Sequence, residues 1–80
     1  MNIKNHKVIV YSTPNCPYCI YAKTYFKNKG VSFEDIDVSR DRSQGEEMIR
    51  KSGQMGVPVI DIDGNILVGF QPNEFDKLLK

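Results

Sequence analysis

The sequence predicts an α/β fold: a mixed four-stranded sheet with helices packed on it. Three observations predict it. A β-branched run, Lys7-Val8-Ile9-Val10-Tyr11, leads into a segment with helical periodicity. A second strand–helix pair follows. Then Asp63-Gly64 separates two short apolar runs, which is a hairpin signal. The order β-α-β-α-β-β-α makes the first two strands parallel through a right-handed crossover and the last two antiparallel.

The run Lys7 to Tyr11 suits a strand buried on both faces, as in a parallel sheet. Ser12 to Asn15 is a turn-rich loop. Pro17 stands where a proline opens a helix, because the first helical N–H has no partner to lose. Cys19, Ala22 and Phe26 then fall on one helical face, with Tyr25 beside them. Lys27 and Lys29 suit the negative end of the helix dipole, and Gly30 suits the C′ position. Val31 to Val38 is expected as the second strand. Ser39 is expected to cap a second helix running to about Lys51, ended by Gly53. Its interior Gly45 weakens it, and its apolar face is thin, Met48 and Ile49. Val57 to Ile62 and Asn65 to Val68 form the hairpin. Pro72 to Leu79 closes the chain as a helix with Phe75, Leu78 and Leu79 inward.

Eighty residues suit one domain, 1–80, with a modest core and a net stability of a few kcal/mol. The composition, 40% hydrophobic and 26% charged, is that of a soluble globular domain, and no apolar run approaches a membrane span. The opening segment, Met1 to Lys7, is polar and basic, and Val8 to Tyr11 is too short for a signal-peptide core. A cytoplasmic protein is therefore expected. With a net charge of +1 and no basic block, nucleic acid and anionic membranes are poor partners. We expect a monomer.

The two cysteines, Cys16 and Cys19, sit three apart. A disulfide across so short a stretch removes little entropy from the unfolded chain, so reactivity explains the pair better than stability does. A C-x-x-C at a strand–turn–helix junction is a redox signal. A structural zinc site needs about four ligands, and the one histidine, His6, lies far off in sequence, so no metal is expected. Cys16 falls at the first turn of the helix, where unpaired N–H groups and the positive dipole end favour a thiolate. Cys19, one turn deeper, faces the core, and burial disfavours its thiolate. Cys16 is the expected attacker of a substrate disulfide and Cys19 the resolver of the mixed disulfide.

Two further segments point to the same loop. In Gly56-Val57-Pro58 the proline opens a strand. It is either a turn device or a cis bond that turns the Val57 N–H and C=O toward Cys16, where a substrate backbone could pair with them. In Gly69-Phe70-Gln71-Pro72, Gly69 is a turn glycine and Phe70 a core residue on the plain reading. On the functional reading the segment brings a helix N-terminus to the cleft to hold a carboxylate, with Gln71 as cap and side-chain donor.

The chain resembles a glutaredoxin over essentially its whole length. The resemblance covers Tyr11-Ser12-Thr13-Pro14-Asn15-Cys16-Pro17-Tyr18-Cys19, Lys29-Gly30-Val31-Ser32-Phe33, Glu46-Glu47-Met48-Ile49, Gly56-Val57-Pro58 and Gly69. It implies a thioredoxin fold, a cis Pro58, and reduction of protein disulfides or glutathione mixed disulfides by Cys16 and Cys19. No tightly bound cofactor is implied; glutathione is the reductant. Glutathione would meet Thr13, Tyr18, the Val57 backbone beside Pro58, and Gly69, Phe70 and Gln71 at its γ-glutamyl end. Thr13 stands where many glutathione-using members have a lysine. The Val68-Gly69-Phe70-Gln71-Pro72 run replaces their Gly-Gly-x-Asp-Asp. That run looks more like glutaredoxin-like proteins reduced by thioredoxin reductase, including electron donors of ribonucleotide reductase. A rival reading is an iron–sulfur cluster carrier that holds its cluster between two subunits through Cys16 and glutathione. Another is a binding module with inert cysteines.

Overall fold

The computed structural model describes residues 6–79. Most of the opening polar segment, residues 1–5, lies outside them. The elements are β1 (Val8–Ser12), α1 (Pro17–Asn28), β2 (Glu34–Asp37), α2 (Arg42–Ser52), β3 (Val59–Ile62), β4 (Asn65–Val68) and α3 (Pro72–Leu78). The sheet order is β2-β1-β3-β4. β1 and β2 are parallel, with Val10 opposite Asp35; β1 and β3 are antiparallel, with Tyr11 opposite Val59; β3 and β4 form the hairpin. This is the thioredoxin fold. No helix among the described residues is long and apolar enough to cross a membrane.

β1 is central and needs apolar side chains on both faces, which explains its unbroken β-branched run. Val8 and Val10 join Ala22 and Phe26 of α1, Ile60 and Ile62 of β3, and Phe75 and Leu79 in one buried cluster. Phe26 and Phe75 stack with centroids 5.0 Å apart, tying α1 to α3. Tyr11 and Val59 meet Met48 of α2 in a second cluster, joined by Ile9, Ile36 and Val57. Helices α1 and α3 thus cover one face and α2 the other.

Several expected boundaries move. β1 runs one residue further, to Ser12, and begins at Val8. The chain leaves α1 through Gly30, whose φ of +72° is left-handed. The Val31 N–H then donates to the Phe26 carbonyl and its side chain is buried, so the residues from Val31 to Phe33 are a helix exit and β2 starts only at Glu34. Asp41, not Ser39, caps α2: its Oδ1 accepts from the Gln44 N–H and the Ser43 hydroxyl. Ser39 instead donates to Asp37 Oδ1. Ile49 is 39% exposed, which leaves Met48 as the buried residue of α2. Pro58 precedes β3, which begins at Val59 because proline has no N–H to give the ladder. α3 ends at Leu78, with Leu79 as its buried C-cap.

Candidate active site

The loop leaving the carboxyl end of central β1 delivers Cys16 to the N-cap of α1. Its sulfur takes the part usually played by a cap oxygen. Cys16 Sγ accepts the Cys19 N–H at 3.2 Å, and the Cys16 carbonyl accepts the Ile20 N–H. Pro17 opens the first turn. Cys16 is partly exposed, whereas Cys19 is 0% exposed, and both are free thiols. The expected asymmetry between the two cysteines is therefore built into the helix start.

Burial above all, and then the hydrogen bond to Cys16 and its charge, push the Cys19 thiol up from 9.0 to about 12. The Thr13 backbone N–H and the Lys23 ammonium act the other way. Between pH 9.0 and about 12 the folded chain holds a proton that the unfolded chain has lost. The stability linked to Cys19 is full below 9.0 and falls as pH rises through that window. Cys19→Ser is therefore expected to flatten the loss of stability in denaturant titrations run from about pH 8 to about pH 11. An unchanged slope would show that Cys19 titrates normally.

The Val57–Pro58 bond is cis, and the Val57 carbonyl lies 3.8 Å from Cys16 Sγ across 41 residues of sequence. Gln54 shapes this approach: its side chain accepts the Gly56 N–H and donates to the Gly56 carbonyl. The Gly69 N–H donates to the Pro58 carbonyl at 2.8 Å, and Gly69 has a φ of +89°, a conformation suited to glycine. This bond brings the segment after β4 against Val57 and Pro58. Thr13 is half-buried beside Cys19, and Tyr18 is 60% exposed, its ring edge-on to Tyr21.

Gln71 departs from expectation. It occupies the N-cap of α3 but makes no side-chain cap bond. Its Nε2 turns back and donates to the Val68 carbonyl. Phe70 packs on the aromatic rings of Tyr21, Tyr25 and Phe75, so it anchors the segment. His6 lies at the opposite end of β1, bonded to Asp63 and to the Leu79 carbonyl, and does not converge with the cysteines.

A polar group linking β1, β2 and the turn of α1 after Cys19 was not foreseen from the sequence. The buried Ser12 donates to Asp35 Oδ1, and Lys23 Nζ donates to Asp35 Oδ2 at 3.1 Å. Lys23 falls four residues after Cys19, a spacing that could have flagged it. Asp35 could not be flagged, because only the parallel pairing of β1 and β2 brings it there.

The glutaredoxin family model matches residues 8–67. A glutaredoxin-like 8.6 kDa protein of a rubredoxin operon in Clostridium pasteurianum is 52% identical over 71 residues, 89% of this chain and 95% of that protein. Glutaredoxin 3 of Escherichia coli (strain K12) is 40% identical over 62 residues, 78% of this chain and 75% of its own. Among solved structures, the glutaredoxin-like NrdH-redoxin of Escherichia coli superposes with a TM-score of 0.81 at 28% identity, covering 90% of this chain and 93% of that one. That protein has a thioredoxin-like activity profile.

Proposed function

This chain belongs to the glutaredoxin family of thiol–disulfide oxidoreductases, and on that premise we propose that it reduces protein disulfides through Cys16 and Cys19 with electrons from a thioredoxin reductase. The observation that carries the disulfide chemistry is the Cys19 N–H donating to Cys16 Sγ at the head of α1, with Cys19 sealed behind it. The Cys16 thiolate attacks one sulfur of the substrate disulfide. That S–S bond breaks, and the other substrate sulfur leaves as a thiolate and takes a proton from water. Cys19, deprotonated, then attacks Cys16. The Cys16–Cys19 bond forms, the bond from Cys16 to the substrate breaks, and the second substrate thiol is released. The substrate is reduced by two electrons and the protein is left as a disulfide. The disulfide must then be reduced back to the dithiol, which suits a reducing compartment such as the cytoplasm.

The choice of reductant rests on the segment after β4. A γ-glutamyl group would need free donors there. Gly69 gives its N–H to Pro58, Gln71 gives an amide hydrogen to Val68, and Pro72 has no N–H, which reduces the donors left there. Thr13 adds no charge to pair with a glutathione carboxylate. The likeness to NrdH-redoxin supports the same reading. Glutathione is the second reading, favoured by the Val57 carbonyl facing Cys16, by the exposed Tyr18, and by the identity to glutaredoxin 3.

The test supplies NADPH and a small disulfide with either thioredoxin reductase alone or glutathione plus glutathione reductase, and follows NADPH oxidation. Turnover with thioredoxin reductase is the expected result. Turnover only in the glutathione arm would replace the first reading by the second.

A further inference from the structure

The resolving step poses an electrostatic problem. Cys19 must lose its proton from a buried position, and in the free dithiol two of the forces opposing this come from Cys16, its hydrogen bond and its charge. Both vanish once the Cys16 sulfur is bonded to a substrate. What then favours a Cys19 thiolate is the Thr13 backbone N–H and the Lys23 ammonium.

Lys23 is placed with some care. It lies one turn beyond Cys19 on α1, and its Nζ is held 3.1 Å from Asp35 Oδ2. Asp35 in turn is fixed by the hydroxyl of the buried Ser12, the residue before Thr13. One network thus joins the cation to the loop whose amide faces Cys19. Three-quarters of the Lys23 side chain is covered, which lessens solvent screening of its charge.

We propose that Lys23 is a positioning residue for the resolving step, fixing positive charge one helical turn from Cys19 so that its thiolate forms when Cys16 enters a mixed disulfide. On α1, Cys16 opposes a Cys19 thiolate and Lys23 favours it; the Asp35 carboxylate paired with Lys23 offsets part of that positive charge. Asp35 and Asp37 of β2 act on Lys23, and β1 contributes the neutral Ser12. Among the described residues, α2, β3, β4 and α3 bring no charge to bear on Cys19. The proton leaving Cys19 passes to water, and the released substrate thiolate takes one up, so no further reactant is needed. This inference rests on Cys16 attacking and Cys19 resolving.

The experiment mixes the reduced protein with an aromatic disulfide that releases a coloured thiolate. The first release follows attack by Cys16 and speeds up with reagent concentration. The second follows attack by Cys19 and does not. Lys23→Met is expected to slow the second phase by about two- to five-fold near neutral pH, the range for a partly exposed charge interaction. It should also move the pH profile of that phase to higher pH. Lys23→Arg should restore both, and the first phase should be unchanged in each variant. A second phase in Lys23→Met with the wild-type rate and pH profile would overturn the role of Lys23. Failure of Cys19→Ser to stop the second phase would instead overturn the attacker–resolver assignment. Far-UV circular dichroism confirms that each variant is folded, and Lys23→Gln repeats the charge loss with a different side chain.

Discussion

Cys16→Ser is expected to lower the rate of disulfide reduction by about three orders of magnitude or more, because an alcohol at the same position stays protonated and cannot form the mixed disulfide with the substrate. The serine hydroxyl is still able to cap α1, so the fold is expected to survive and the loss to be chemical. Cys19→Ser makes the contrast. Its first step should proceed at a near-normal rate and then stall, leaving one substrate thiol bound per chain through Cys16. Intact mass spectrometry reads that adduct directly, and peptide mapping places it. Retained turnover in Cys16→Ser, or an adduct on Cys19 in the unmodified protein, would reverse the assignment.

Lys51→Met is expected to cost about 3 kcal/mol of stability, the usual penalty for stranding one member of a buried ion pair. Asp61 sits in β3 with only 7% of its surface exposed. Its Oδ2 accepts from Lys51 Nζ at 2.9 Å, and its Oδ1 accepts from the Gly64 N–H. Lys51 also donates to the Tyr11 hydroxyl and stands over the Tyr11 ring. Burial pulls the Lys51 ammonium toward neutrality, but its hydrogen bonds to Asp61 and Tyr11 prevail and hold its pKa above the ordinary lysine value. Its contribution is therefore complete at neutral pH and is lost only as pH rises through the alkaline range. A chain of this length has about 4–12 kcal/mol of stability in all, so the substitution should show as a clear fall in the urea midpoint. Adding Asp61→Asn to Lys51→Met should recover much of the loss, since the stranded charge is then gone. A small loss with no recovery would show that packing, not the ion pair, holds α2 to the sheet.

Much of this architecture is legible in short stretches of sequence. The β-branched run of β1, the Asp63-Gly64 hairpin and the helical periodicity of Cys19, Ala22 and Phe26 are local signals, and the structure realises each of them. Boundaries were less legible where side chains compete for the same role. Asp37, Ser39 and Asp41 all offer cap chemistry within five residues, and in the structure Asp41 takes the cap while Ser39 bonds to Asp37. Val31 looks like a strand residue, yet it is buried by the turn that ends α1.

The sequence by itself determined the candidate reactive pair. Two cysteines three apart, with Pro17 between them, become unequal wherever a helix begins at the first of them, because the orphan N–H groups belong to the helix start alone. Only the tertiary structure decided what surrounds that pair. The Val57 carbonyl reaches Cys16 across 41 residues, Lys23 meets Asp35 through the pairing of β1 with β2, and Gln71 turns its amide back to Val68. Such contacts depend on strand register and on helices packing as whole faces, and no short segment encodes either.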